Sequence, residues 1–436
     1  MIMRKPALFF LALGAICLVA CTEDQGKASS SKGDSVADTV SADEGNIGEV
    51  QNAPVELDPA APVMVRLSFN QYRNAIRDLF GPEIVSPASL EPDTALDGLF
   101  SVGAAVATLS PRGVELYEEG ATSVAAQVLA SKATRAKMHS CAEGDAPDSA
   151  CLRLVAEEFG LKVWRRPLTS DEVETLVSLG EKASAVLEDP FAGLSYVLMA
   201  LLQSPHFLYR VEFGEPDPDD ASRLRYTNYE MAARLSFFLW NSIPDAELLE
   251  AAGKAELTND ETLRSHVERL VKDDRARESV RNFFYEWLGL HGLDSMSKDP
   301  TIFKHSSSDL GSMAAEETLR LAEYLIFDED RDLREFFTTR TTFVNRRLAA
   351  IYNVPAVTDE GFGRIELPEA APRRGFLGHV SFLALQAHAV STSATLRGLF
   401  VRENLMCMHM PPPPSDLNTG IPEASENAKT LKERLQ

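Results

Sequence analysis

The side chains able to do chemistry are few and widely spaced. Cys407 stands in "ENLMCMHMPPPPSDLNTG", shortly ahead of Pro411 to Pro414. His206 follows an apolar stretch in "SPHFLYR". An imidazole there can act as a ligand or general base, but the end of a buried helix reads more simply as a hydrogen-bonded structural histidine. His379 and His388 are read on one helix, near its end. Their spacing is not the i, i+4 interval that stacks two ligands on one helical face, so no shared metal is assigned. Arg165 and Arg166 in "WRRPL" can hold an anionic substrate or pair with surface carboxylates, and the second is the plainer reading. Asp245 in "WNSIPD" reads as a cap for the next helix, and Glu316 and Glu317 as a solvated helix face. No catalytic residue is assigned.

The sequence has no HExxH, GxSxG, Walker loop, GxGxxG or CxxC. Readily recognised zinc proteases, serine hydrolases and nucleotide enzymes are therefore excluded. The formal charge of −22 argues against nucleic acid, whose binders carry basic patches.

Cysteine usage points to export. Arg4 and Lys5 precede an apolar run, Ala7 to Val19, that is too short to span a bilayer and suits a signal peptide. It ends in Leu18-Val19-Ala20-Cys21, a lipobox-like sequence in which Cys21 takes the lipid. Thr22 in place of an aspartate favours the outer membrane, with the protein facing the periplasm or exterior. Cys17 leaves with the signal peptide. Cys141 and Cys151 bracket a Gly/Pro/Asp loop in "HSCAEGDAPDSAC", which a disulfide can close in an oxidising compartment; two inert thiols are the alternative. Cys407 is then the odd cysteine. Residues 22–60 hold nine acidic and two basic residues and no aromatic one, the composition of a disordered tether.

The elements that must position these residues are mainly helical, with "TTFVN" and "FGRIELPE" as short strands. Three helices begin with one grammar: Ser68 with Gln71, Thr169 with Glu172, and Thr227 with Glu230, each a capping box. "FAGLSYVLMALLQ" is apolar nearly all round and reads as a buried helix ending near Ser204-Pro205. "RRGFLGHVSFLALQAH" and "TLRGLFVRENLMC" read as the last two helices, and the four prolines as a polyproline II spacer.

Together "RLSFNQYRNAIRDLFG", "VWRRPLTSDEV", "ALLQSPHFLYRVE", "MAARLSFFLWNSIPDAELLEAA", "FVNRRLAAIYNV" and the stretch from "RRGFLGHV" to "PPPP" resemble a family of large exported proteins of planctomycetes, verrucomicrobia and myxobacteria. Those proteins are strings of domains of unknown function numbered 1587, 1595, 1592 and 1588. After the lipoprotein signal peptide (1–20) and the acidic tether (21–60), the resemblance marks a 1587-like helical domain (61–135). A disulfide loop and 1595-like helical hairpin (136–215), a 1592-like domain (216–358) and a 1588-like segment with the proline run (359–420) follow. Residues 421–436 match the opening helix of a further domain, numbered 1585, that carries a Cys-x-x-Cys-His motif of c-type-haem appearance. One departure is Ser393-Ala394 where the family has Ser-Pro.

The resemblance implies no cofactor in this chain and covalent haem in a longer form. It places His388, Arg397 and Cys407 near the junction with the haem-like module and gives no catalytic residues. It suggests the membrane, through the lipid, and a secreted phosphatase- or sulfatase-like protein as partners. Two functions follow as expectations: a redox-associated envelope lipoprotein, or a non-catalytic lipid-anchored scaffold that binds a secreted hydrolase or a polysaccharide.

Overall fold

The computed structural model describes residues 63–411, apart from 145, 219 and 221, together with residue 434. The signal peptide, Cys21, the tether, the prolines after Pro411 and the segment 421–436, apart from residue 434, lie outside the described residues.

The described chain is mainly α-helical, with three two-stranded antiparallel sheets. All three capping boxes form, at Ser68, Thr169 and Thr227. In each the cap side chain and the residue three positions on satisfy each other's free backbone N–H, which starts the helix where the sequence says. The first helix, Phe69–Phe80, stops at Gly81, whose φ of 95° a side chain would resist. Pro190–Gln203 is the buried helix, capped by Asp189, with proline at its first turn and an end at Ser204.

Two apolar cores form. One gathers side chains from Leu67 to Ile243, with Tyr72, Phe80, Phe159 and Phe207 fully buried. The other runs from Ala232 to Phe400 around Trp240, Phe284, Phe336 and Phe376. The helix Asn228–Trp240 serves both: Ala233 and Phe237 face the first core, and Ala232, Leu239 and Trp240 face the second. Burial on two sides explains why it carries apolar residues on more than one face, while Arg234 and Phe238 stay exposed. Polar contacts add to the join. Asn70 meets Asn282 at 2.7 Å, and Ser242 donates to Asp78 at 2.7 Å. Buried Glu286 accepts the backbone N–H groups of Phe100 and Ser101 at 2.9 and 3.2 Å.

Three expectations change. "RRGFLGHVSFLALQAH" is not one helix. Gly375, at φ 45°, lies so close to the backbone of Phe336 and Phe337 that a Cβ would collide with them. Only the short turn Phe376–Gly378 and the helix Val380–Leu385 form. His379 therefore stands at the N-cap position of a helix, without a capping bond from its side chain, and His388 lies beyond the helix end. Arg165 is not on the surface. It is left-handed at φ 59°, 4 % exposed, and donates to the carbonyls of His206 and Tyr209 at 2.6 and 2.7 Å. It locks the end of the buried helix instead of meeting a substrate. Glu317 is fully buried, while its neighbour Glu316 makes the expected surface ion pairs with Arg281 and Arg320.

Cys141 and Cys151 form a disulfide, with Cα atoms 5.6 Å apart. Asp245 caps the helix Ala246–Gly253 by accepting the N–H of Leu248 at 2.9 Å, and it also pairs with Arg269.

Candidate functional site

The C-terminal end of the second core has an exposed groove and, beneath it, a buried polar network. The groove encloses roughly 580 Å³ between the helix Val380–Leu385 and the helix Ala394–Phe400, which continues as a wider turn over Val401–Leu405. Phe382, Leu399, Val401 and Met410 supply nearly wholly apolar walls, and Arg397 and Arg402 add charge.

The helix that carries Phe382 is anchored from below. Glu317 comes from the helix Leu310–Glu323, Thr342 from the strand Thr341–Val344, and Tyr352 from the helix Arg346–Tyr352. Thr342 donates to Glu317 Oε1 and Tyr352 to Oε2, each at 2.7 Å. Tyr352 in turn accepts the first free N–H of the groove helix, from Val380, at 2.9 Å. With the Thr342 proton given to Glu317, the Thr342 oxygen accepts from His379 Nε2 at 3.3 Å. His379 Nδ1 then accepts from Thr318 at 3.1 Å, and Thr318 lies 2.6 Å from Ser381. These directions assign His379 as neutral, with its proton on Nε2.

The electrostatics agree with closure. Burial pushes the Glu317 carboxyl up to about 7, against the opposing pull of the Thr342 and Tyr352 hydrogen bonds. Burial and the Arg373 charge push His379 down to about 3. Burial and the neighbouring Glu317 raise the Tyr352 phenol far above its usual range. Every one of these groups has a partner; Glu317, Thr318, Thr342, His379 and Ser381 are buried and Tyr352 is partly so. The arrangement holds a helix in place; the groove above it is where the protein offers surface.

The other candidates separate. Arg397 lines the groove and donates to the Thr392 hydroxyl. His388 lies in the loop closed by the Ala387–Thr392 bridge, and Lys298 holds the Ala387 and His388 carbonyls at 2.7 and 3.1 Å. Cys407 is exposed, at the end of the second groove helix. His206 belongs to the first core, far along the chain. Its Nε2 lies 2.9 Å from Arg166 and 3.7 Å from Glu172, and its ring packs on Trp164 at 4.9 Å. Burial lowers its pKa, and the Arg166 charge lowers it further. Glu172 is held down at about 2, chiefly by Arg166. That carboxylate already serves the capping box and a two-pronged arginine pair, which leaves His206 as its minor partner.

Sequence reading missed the Glu317 network. The only signal was the acid pair Glu316-Glu317, in which a helix turns one residue outward and the next about 100° away. Among the described residues, no group of three or more His, Cys, Asp or Glu side chains is placed to hold a metal ion. Among them, no helix is long and apolar enough to cross a membrane.

Comparison with known families gives four matches, each described as a protein of unknown function: DUF1587 over residues 66–130, DUF1595 over 151–212, DUF1592 over 226–354 and DUF1588 over 373–436. No curated protein and no solved structure matches the chain. The buried network straddles two of the matched segments. Glu317, Thr318, Thr342 and Tyr352 lie in the DUF1592 match, and His379 and Ser381 in the DUF1588 match.

Proposed function

We propose a role for the chain as a protein built from the 1587, 1595, 1592 and 1588 domains, in that order: a lipid-anchored envelope protein whose helical body orients a redox module at its C-terminal face. The groove carries this reading. It is apolar, edged by Arg397 and Arg402, and Met410 lines it immediately before the prolines begin. A module joined through that spacer would leave the body at the groove. The Cys141–Cys151 disulfide suits an exported protein. The lipobox-like sequence at Cys21 suits attachment to the outer membrane, facing the periplasm or exterior.

The second reading is a non-catalytic, lipid-anchored scaffold that holds a secreted phosphatase- or sulfatase-like enzyme or a polysaccharide. The buried network favours it, because strongly perturbed groups are used to fix one module on another.

The intact mass of native protein extracted from membranes tests both. A lipid increment on Cys21 is expected, with Cys21→Ser released from the membrane fraction. A further haem increment supports the redox reading. Lipid without haem, with a secreted hydrolase co-purifying, supports the scaffold. Wild-type protein recovered free of lipid refutes the anchoring common to both.

A further inference from the structure

We propose that Met406-Cys407-Met408-His409-Met410 is a binding site for a soft monovalent metal ion, of the Cu(I) class. Five consecutive residues carry three thioethers, one thiol and one imidazole. These are the ligand types that select Cu(I) over harder ions. Zinc would ask for a larger set of His, Cys or carboxylate ligands. Cu(I) is satisfied by two or three soft ones, and thioethers count among them.

Four of the five side chains are exposed, and Met410 lines the groove. Met406 is 58 % and Met408 42 % exposed, and Cys407 and His409 are exposed as well. Methionine is ordinarily a gap-filler of cores, so two adjacent to an exposed thiol need another reason to be there.

The backbone gathers them. The helix Ala394–Phe400 and its continuation Val401–Leu405 end at Met406, whose N–H donates to the Val401 carbonyl at 3.1 Å. Cys407 then takes the left-handed conformation, at φ 50°. Met408 N–H comes back to the Arg402 carbonyl at 2.8 Å, and Met410 N–H approaches the Glu403 carboxylate at 3.4 Å. Glycine is the usual residue at such a helix end, and any other bears a conformational cost of about 1 kcal/mol. A thiol stands there instead. The backbone of the five residues thus turns back on a helix C-terminus, the negative end of the helix dipole, beside the Glu403 carboxylate. Both favour a cation, as does the net charge of −22. Binding needs no oxidant: the thiol gives up its proton and the thiolate takes the ion. Cys141 and Cys151 are committed to each other and do not compete.

The test uses the full chain under anaerobic conditions, with Cu(I) generated by ascorbate and titrated against bicinchoninate as a competing chelator. One ion per chain is expected. Ag(I), which does not change oxidation state, is expected to give one adduct in native mass spectrometry. Cys407→Ser and the shape-conserving pair Met406→Leu with Met408→Leu leave the helical circular dichroism unchanged. Each weakens Cu(I) binding by at least the roughly 10- to 100-fold that disturbing a ligand's support alone costs. No Cu(I) retained against the chelator overturns the proposal. So does wild-type affinity in the variants, which would put the ion elsewhere, or equal affinity for Zn(II), which would make it a site for harder ions.

Discussion

Replacing Glu317 by glutamine keeps the size of the side chain and removes its proton equilibrium. In the fold the carboxyl is pushed up to about 7 by burial, against 4.5 when solvated. The unfolded chain therefore gives up this proton first as pH rises. Stability falls from about pH 4.5 to about 7, at about 1.4 kcal/mol per pH unit and about 3 kcal/mol in all. His379 acts in the opposite sense. It is held at about 3 in the fold against 6.5 in solution, so stability is lost as pH falls below 6.5. Between about pH 4.5 and 6.5 the two slopes are similar in size and opposite in sign, and this cluster contributes no net pH dependence in the wild type. Tyr352, raised far above its usual range by burial and the neighbouring Glu317, keeps its proton throughout that window, and the Arg373 charge faces the cluster. In Glu317→Gln the histidine slope stands alone. The variant's stability relative to wild type should rise by about 1.4 kcal/mol per unit from pH 4.5 to 6.5 and level off above about 7. Glutamine also places an amide N–H against a hydroxyl that was donating, so the variant should be weaker at the acid end by about 1–3 kcal/mol. Urea unfolding at half-unit steps of pH, followed by near-ultraviolet circular dichroism, reads the difference. Parallel curves for the two proteins would refute the reasoning, because they would mean that the buried carboxyl titrates as a solvated one.

Three further outcomes are expected. Phe336 is fully buried and stacked on Phe376 at 5.4 Å, so Phe336→Ala should cost about 3–5 kcal/mol in urea unfolding. Reducing the Cys141–Cys151 disulfide should lower stability by about 3 kcal/mol, given a loop of 10 residues, as read by unfolding with and without a thiol reductant. Arg166→Ala should raise the His206 pKa towards its solution value by removing a repelling charge and freeing Glu172 to attract the imidazolium, and a nuclear magnetic resonance titration of the ring protons would show it.

What the sequence by itself determined is local in physical origin. A capping box needs only residues i and i+3, so Ser68, Thr169 and Thr227 could be placed without knowing what the helices touch. The disulfide spans a loop of 10 residues, and the strands Thr341–Val344 and Gly363–Glu366 announce themselves by composition. The order of the four domains was legible in the same way, phrase by phrase. Tertiary structure decided what depends on distant partners. Glu317 is a solvated acid by every local measure. It is buried because Thr342 and Tyr352, 25 and 35 positions away, bring hydroxyls to it, with His379 3.8 Å from its carboxylate. Arg165 reads as a surface charge until the carbonyls of His206 and Tyr209 fold around it. The helix break at Gly375 arises because the Phe336–Phe337 backbone occupies the space where a side chain would stand. Burial of a charge, and the close approach of two backbones, are properties of pairs far apart in sequence, and no window along the chain contains both members.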